Sequence, residues 1–196
     1  METARLETFA DGVFAIAATL LIIDVHADAE GGRLAHALLH AWPQYAAYAV
    51  SFLTIGVVWV NHHTVLRQIG LADRTFLFLN VLLLMDVAFV PFPTRLAAEH
   101  FNDAGARAAA VTYGVTMTLM AMLWAAVWFY AAIGRRLIDP KADQRVVSGI
   151  SRSYVPGTAM YGLATVVAVW SPDTALVLYG AIAVFYVLES SIFGRG

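Results

Sequence analysis

Residues 5–24 read RLETFADGVFAIAATLLIID, and this stretch decides the fold class of the chain. No charged residue lies between Asp11 and Asp24. A helix needs roughly 20 mostly apolar residues to cross a bilayer, and long unbroken apolar runs favour helices over barrel strands. The residues before the run lack a basic region, and no small-residue cleavage site follows it. We therefore predict a retained membrane-spanning helix over about 4–25.

The composition of the whole chain is typical of a membrane protein. Of its 196 residues, 60% are hydrophobic and 13% are charged, and the mean hydropathy is +0.70. Soluble domains usually carry about 25% charged residues, so this chain has too little polar surface to cover a particle in water. We predict one all-α transmembrane domain over 1–196, a six-helix bundle without a soluble domain.

Five further apolar segments follow the first. A short interfacial helix is predicted before the second span, over 34–41. Pro91 and Pro93 are expected to close the third span, and Pro156 is expected to kink the fifth, which is the least apolar of the six. The predicted spans cover about 43–66, 75–93, 104–133, 147–170 and 174–193.

The distribution of Lys and Arg predicts the orientation in the bilayer. With the N-terminus in the cytoplasm, nine basic residues lie near cytoplasmic span ends and three near the opposite ends. An excess of Lys and Arg marks the cytoplasmic side, and six spans return the chain to the side where it began. We expect a multi-pass protein of the cell membrane with both termini in the cytoplasm. The cytoplasmic set is Arg5, Arg67, Arg74, Arg135, Arg136, Lys141, Arg145, Arg152 and Arg195; the opposite set is Arg33, Arg95 and Arg107.

Several classes of function find no support in the sequence. The net charge is −2 and no basic stretch is present, so nucleic acid is not expected as a partner. Cysteine is absent, which removes disulfides and thiolate metal sites. We see no nucleophile elbow, no His-Glu-x-x-His motif and no glycine-rich phosphate loop. Neither an enzyme nor a cofactor is therefore expected.

One face of the first helix is apolar. At about 100° per residue, Ile16, Leu20 and Ile23 fall within roughly 60° of one another, with Thr19 on the edge of this stripe. Asp11 points about 140° away from Ile16. Such a stripe fits a packed core, a lipid-facing surface or a pore constriction, and periodicity alone leaves these readings open.

Polar residues lie at the start of the first span and at the end of the second, which are on the same side of the membrane. Arg5 and Asp11 open the first span, either as an interfacial charge pair or as part of a polar girdle. Asn61, His62 and His63 end the second span. Adjacent histidines on a helix point about 100° apart, so they cannot share one metal in the i, i+4 manner. A hydrogen-bonded network with Arg5, Asp11 and Asn61 is one reading, and a metal-dependent membrane enzyme is another.

Asp86 is the deepest carboxylate in the predicted spans. An acidic residue at such a depth should face protein or water. It is either a structural, hydrogen-bonded group or a proton or ion site. A small proton-coupled secondary transporter that uses Asp86 or Asp11 is therefore an alternative function.

Two stretches resemble the potassium channels of the transmembrane protein 175 family. The signature Arg-x-x-x-Phe-Ser-Asp stands here as Arg5, Phe9, Ala10 and Asp11, followed by the run VFAIAATLL over 13–21. The second-span Trp-x-Asn-His-His stretch begins at Trp59 and extends to residue 63. Ala10 replaces the usual serine, so a hydrogen bond made by that hydroxyl in relatives is absent.

The resemblance implies a passive, potassium-preferring cation channel that assembles as a homotetramer, with the first helix of each subunit lining a central pore. Ile16 takes the position of the principal constriction, Leu20 and Ile23 match further apolar rings, and Thr19 matches a threonine linked to cation selectivity. Potassium is the permeant ion, and no cofactor is implied. The resemblance also implies a polar network that supports the pore helix, formed by Arg5, Phe9, Asp11, Trp59, Asn61, His62 and His63.

Overall fold

The computed structural model describes residues 3–26 and 33–193, and these residues form an all-α bundle. The predicted fold class is thereby confirmed. The helices are α1 (Ala4–Leu20, extended by a 3₁₀ turn over Leu21–Asp24), α2 (Leu34–His40), α3 (Trp42–Leu66), α4 (Arg74–Phe89), α5 (Pro91–Glu99), α6 (Ala106–Ala132), α7 (Gln144–Ala168) and α8 (Pro172–Phe193).

Five of the described helical segments are long and apolar enough to cross a membrane. The fifth predicted span, α7, is not among them, although its 25 residues give sufficient length. Gln144, Arg145 and Arg152 lower its hydropathy. The count of six spans therefore stays a prediction. The five segments are Ala4–Asp24, Trp42–Leu66, Arg74–Glu99, Ala106–Arg135 and Pro172–Glu189.

The sequence predicts that the third span ends at Pro91 and Pro93, but the structure continues as a helix beyond them. Val90 keeps helical dihedral angles (φ −50°, ψ −40°), and Pro91 and Pro93 begin α5, which runs on to Glu99. Proline is tolerated in the first turn of a helix because the N–H groups there have no partner within the helix. The prediction was wrong because a restart directly after α4 was not considered.

Two loops are joined at the end of the bundle where α3 and α6 finish. The Gly70 amide donates to the Leu137 carbonyl at 2.9 Å, and the Asp139 amide donates to the Gln68 carbonyl at 2.8 Å. Ile69 and Ile138 form an isolated antiparallel bridge between these bonds. The α3–α4 loop and the loop that follows α6 are thus held together through their backbones.

Asp73 completes this connection. Its carboxylate caps α4 by accepting a hydrogen bond from the Phe76 amide, and it accepts another from the Tyr130 hydroxyl at 2.7 Å. Arg136 stacks over the Tyr130 ring at 4.6 Å and lies near the same carboxylate. The amide and hydroxyl bonds, aided by Arg136, hold the pKa of Asp73 below its usual range.

The core lies between α1, α3, α4, α6 and α8. The α1 helix packs against α3 and α4, while α6 is central and packs against α4, α5, α7 and α8. The largest fully buried side chains include Phe76 and Leu83 on α4, Trp128 on α6 and Tyr179 on α8. Since α1 is packed from one side only, its opposite side is left without a partner inside the subunit.

Candidate pore face of the first helix

The α1 helix presents its apolar stripe outward from the subunit. Ile16 is 61% exposed, Leu20 is 42% exposed and Ile23 is 70% exposed. The opposite face, which includes Ala10 and Phe14, is buried against the rest of the bundle. The three branched side chains are therefore not core residues of a single subunit, and they are available to line a shared axis.

Thr19 lies on the same exposed side of α1. Its hydroxyl donates to the Ala15 carbonyl at 2.8 Å and to the Ile16 carbonyl at 3.0 Å. Because the proton is directed at the helix backbone, the lone pairs of the oxygen face away from it. The arrangement offers an acceptor oxygen, one turn from Ile16, to a cation or to water.

A hydrogen bond and a histidine–carboxylate contact connect α1 to α3 near the start of α1. The Trp59 indole donates to Asp11 Oδ1 at 2.8 Å. His63 Nδ1 lies 2.6 Å from Glu7 Oε1. Asp11, Trp59 and His63 were predicted as site residues, whereas Glu7 was missed. A signal was present, since Glu7 stands four residues before Asp11 and so shares a side of the helix with it.

His62 supports α1 from inside the bundle. Only 2% of His62 is exposed, and its Nε2 lies 3.1 Å from Asn80 Oδ1 on α4. The Asn80 amide nitrogen donates to the Phe76 carbonyl, so its oxygen must accept and His62 Nε2 must donate. The imidazole packs edge-on against Phe14 of α1 and Trp124 of α6, at centroid distances of 5.5 and 5.9 Å.

Asn80 and Trp124 were also missed by the sequence analysis. Asn80 is a lone amide in the apolar run 76–90, and a buried amide needs a partner. That requirement could have drawn attention to it, but nothing in the sequence points from Asn80 to His62. Trp124 is one of many apolar residues in α6 and carries no distinguishing signal.

Arg5, Phe9 and Asn61 are not joined to these contacts. Arg5 and Phe9 are exposed on α1, on the same side as Ile16, and Asn61 is half-buried and borders a cavity. Across the described ranges, no hydrogen bond or ion pair links Arg5 to Asp11 or to either histidine. Within one subunit the predicted network therefore consists of separate pairs, and the supporting roles of these three residues stay predictions.

Comparison with known proteins places this arrangement in a family. The family described as endosomal/lysosomal potassium channel TMEM175 matches residues 5–91, the part of the chain that contains α1, α3 and their contacts. A potassium channel of Streptomyces collinus is 42% identical over 189 residues, which are 94% of this chain and 91% of that protein. A potassium channel of Chamaesiphon minutus is 38% identical over 97% of this chain and 96% of its own length. The chain belongs to the TMEM175 family.

The fold agrees with a solved member of the TMEM175 family. A crystal structure described as a lysosomal potassium-selective channel TMEM175 homolog from Chamaesiphon minutus superposes with a TM-score of 0.87 at 36% identity, covering 96% of this chain and 98% of that one. The family resemblance drawn from the signature residues is thus confirmed. Since TMEM175 proteins are ion channels, the expectation that the chain is not an enzyme is confirmed as well, and the chain is a multi-pass membrane protein.

Asp86 stands apart from the contacts between α1 and α3. It is 5% exposed on α4, and its Oδ2 atom is the one buried side-chain oxygen or nitrogen without a hydrogen-bond partner among the described residues. An ionised carboxylate in such a position is costly.

The two histidines do not converge on a metal. His62 turns inward to Asn80, whereas His63 turns outward to Glu7. Over 3–26 and 33–193, no three His, Asp or Glu side chains are grouped closely enough to hold a metal ion. Nothing in this geometry favours the metal-dependent enzyme that the sequence left open.

Proposed function

We propose that this chain is a passive, potassium-preferring cation channel of the TMEM175 family. The observation that carries the proposal is the outward-facing stripe of Ile16, Leu20 and Ile23 on α1. An apolar row exposed on a membrane helix can face lipid or line a pore shared by several subunits. Relatives of nearly the full length of this chain are named potassium channels, which favours the pore.

In the proposed channel, four subunits place α1 around a central axis, and their apolar side chains form successive rings. Ile16 makes the principal constriction, with Leu20 and Ile23 above it. A narrow apolar ring resists wetting and acts as a gate. Closed cyclic symmetry turns one exposed face per subunit into such rings, and the packing of α1 from one side supports this use of the helix.

Selectivity in this proposal comes from the cost of removing water at the constriction. Potassium gives up its hydration water at lower cost than sodium, and Thr19 hydroxyl oxygens replace part of that water one turn from Ile16. The hydrogen bonds from Thr19 to the α1 backbone support this role, because they leave oxygen lone pairs to accept a cation. The proposal assigns no cofactor, and potassium is the transported ion.

The proposed topology has six spans with both termini in the cytoplasm. It requires α7 to cross the membrane despite its low hydropathy. Two features support this: α7 packs along both α6 and α8, and only 169–171 separate its end from the start of α8. Nine of the twelve basic residues then lie on the cytoplasmic side.

Recording from purified protein in planar bilayers under a potassium/sodium bi-ionic gradient tests the function. We expect unitary current steps and a reversal potential that is shifted from zero toward the equilibrium potential of potassium. Saturable uptake coupled to protons, without unitary steps, would instead support a transporter that uses Asp86. The subunit number is tested separately by native mass spectrometry, where a mass other than four chains would contradict the tetramer.

A further inference from the structure

A cavity lies between α3, α6, α7 and α8, on the far side of α3 from the pore face. Its volume is about 70 Å³, enough for roughly five water-sized spheres, since each needs about 10–15 Å³. Most of the wall is apolar, with Val58, Met117 and Ala183 among its members. No charged side chain lines it.

Four hydrogen-bonding groups border this cavity without a protein partner. They are the Asn61 amide and the hydroxyls of Tyr154, Tyr161 and Tyr186. Within the described part of the chain, none of the four side chains makes a hydrogen bond, in contrast to the Tyr113, Tyr130 and Tyr179 hydroxyls, which all do. The polar atoms of these four groups retain accessible surface, so each can form a hydrogen bond with a molecule inside the cavity.

We propose that this cavity is a binding site for a small neutral alcohol of about four to six non-hydrogen atoms. The apolar wall suits a short alkyl chain, and the amide with the three phenols can hold one hydroxyl group. A cation is disfavoured because no carboxylate lines the space, and an anion because no basic group does. Water alone would leave the apolar part of the wall without a suitable partner.

Small residues in the cavity wall set the volume of the cavity, and each of them can be replaced separately. Gly157 on α7 lies at its wall, and a Cβ added there would meet the Tyr186 hydroxyl oxygen at 2.6 Å. Ala183 on α8 and Ala121 on α6 also line it, so a leucine at either position would fill part of the volume. Ala181 is exposed on the same helix as Ala183 and provides a matched control.

The test uses 2-bromoethanol, an alcohol with a heavy atom that quenches tryptophan fluorescence, and purified full-length protein. Trp124 lines the cavity, so we expect a saturable quenching component in addition to the linear collisional one. Ala183→Leu and Ala121→Leu should each lose the saturable component, whereas Ala181→Leu should retain it. Trp124→Phe should remove it without preventing assembly.

Two results would overturn the site. One is purely linear quenching of the native protein, and the other is saturable quenching that persists unchanged in both leucine variants. Gel filtration of each variant checks folding, and two filling positions on different helices guard against the loss of one variant. None of these readouts depends on ion conduction, so the site and the channel can fail independently.

Discussion

The Trp59 indole donates a 2.8 Å hydrogen bond to Asp11, and this bond connects α1, the proposed pore helix, to α3. Trp59→Phe keeps the ring and removes the donor. A hydrogen bond of this kind contributes about 1 kcal/mol, so we expect the Tm of the purified protein to fall by roughly 2–4 °C. Trp42→Phe is the control, because the Trp42 ring packs on Phe101 and its N–H donates no hydrogen bond among the described residues. Equal Tm values for the two variants would show that the bond to Asp11 adds nothing.

Replacing Ile16 tests the constriction. Ile16→Asn puts a polar amide in the narrowest proposed ring, so wetting becomes easier and the discrimination between ions weaker. We expect a larger unitary conductance and a reversal potential closer to zero under the bi-ionic gradient. Ile22→Asn, also on an exposed residue but about 120° around the helix, should leave both unchanged. Unaltered currents in Ile16→Asn would remove this residue from the pore.

The buried pair of His62 and Asn80 should be sensitive to substitution. Asn80→Ala leaves the His62 N–H without an acceptor in the bundle, at a cost of about 1–3 kcal/mol. The Tm should fall by roughly 2–4 °C for each kcal/mol. Asn102→Ala, in an exposed loop, should change the Tm little. If the two alanine variants have the same Tm, the contact between His62 on α3 and Asn80 on α4 does not contribute to stability.

The bond from Tyr130 to Asp73 predicts a pH dependence. Because the pKa of Asp73 is lowered in the folded state, the stabilisation exists above the ordinary aspartate pKa and disappears as the pH falls through the lowered value. Tyr130→Phe should therefore lower the Tm at pH 7, and its difference from the native protein should shrink as the pH falls through the lowered pKa of Asp73. A Tm difference that stays constant throughout an acid titration would mean that the effect does not come from the carboxylate.

Replacing Asp86 distinguishes a passive channel from a proton-coupled transporter. Asp86 is buried on α4 and does not belong to the exposed face of α1, so ions in the proposed pore do not meet it. We expect Asp86→Asn to retain unitary potassium currents with the native reversal potential. Loss of transport together with loss of a proton-driven flux would favour the coupled mechanism instead.

Much of the fold could be predicted from the sequence because lipid imposes simple rules. The apolar runs and the short helix over 34–40 could be predicted from the length of the segments and the position of Pro43. The 3.6-residue period predicted an apolar stripe on α1 but left open whether that stripe is buried or exposed. The restart at Pro91 was missed because proline reads equally well as the end of one helix and the first turn of another.

The partners inside the site were less predictable for a physical reason. From the sequence, His62 could have formed a hydrogen bond with Arg5, Asp11 or Asn61. In the folded bundle, Asn80 lies opposite His62 instead. Which polar groups meet depends on the rotation of α4 against α3, and that rotation is set by the packing of many apolar side chains. Hydropathy has no information on this rotation, so the pairing of His62 with Asn80 emerged only in three dimensions.

The backbone bridge between Ile69 and Ile138 has a mechanical consequence. It connects the α3–α4 loop to the loop that follows α6, so the ends of these helices are held together, whereas α1 is packed from one side only. In the proposed channel, we infer that the conduit widens through movement of α1, while the joined ends of α3, α4 and α6 stay in place.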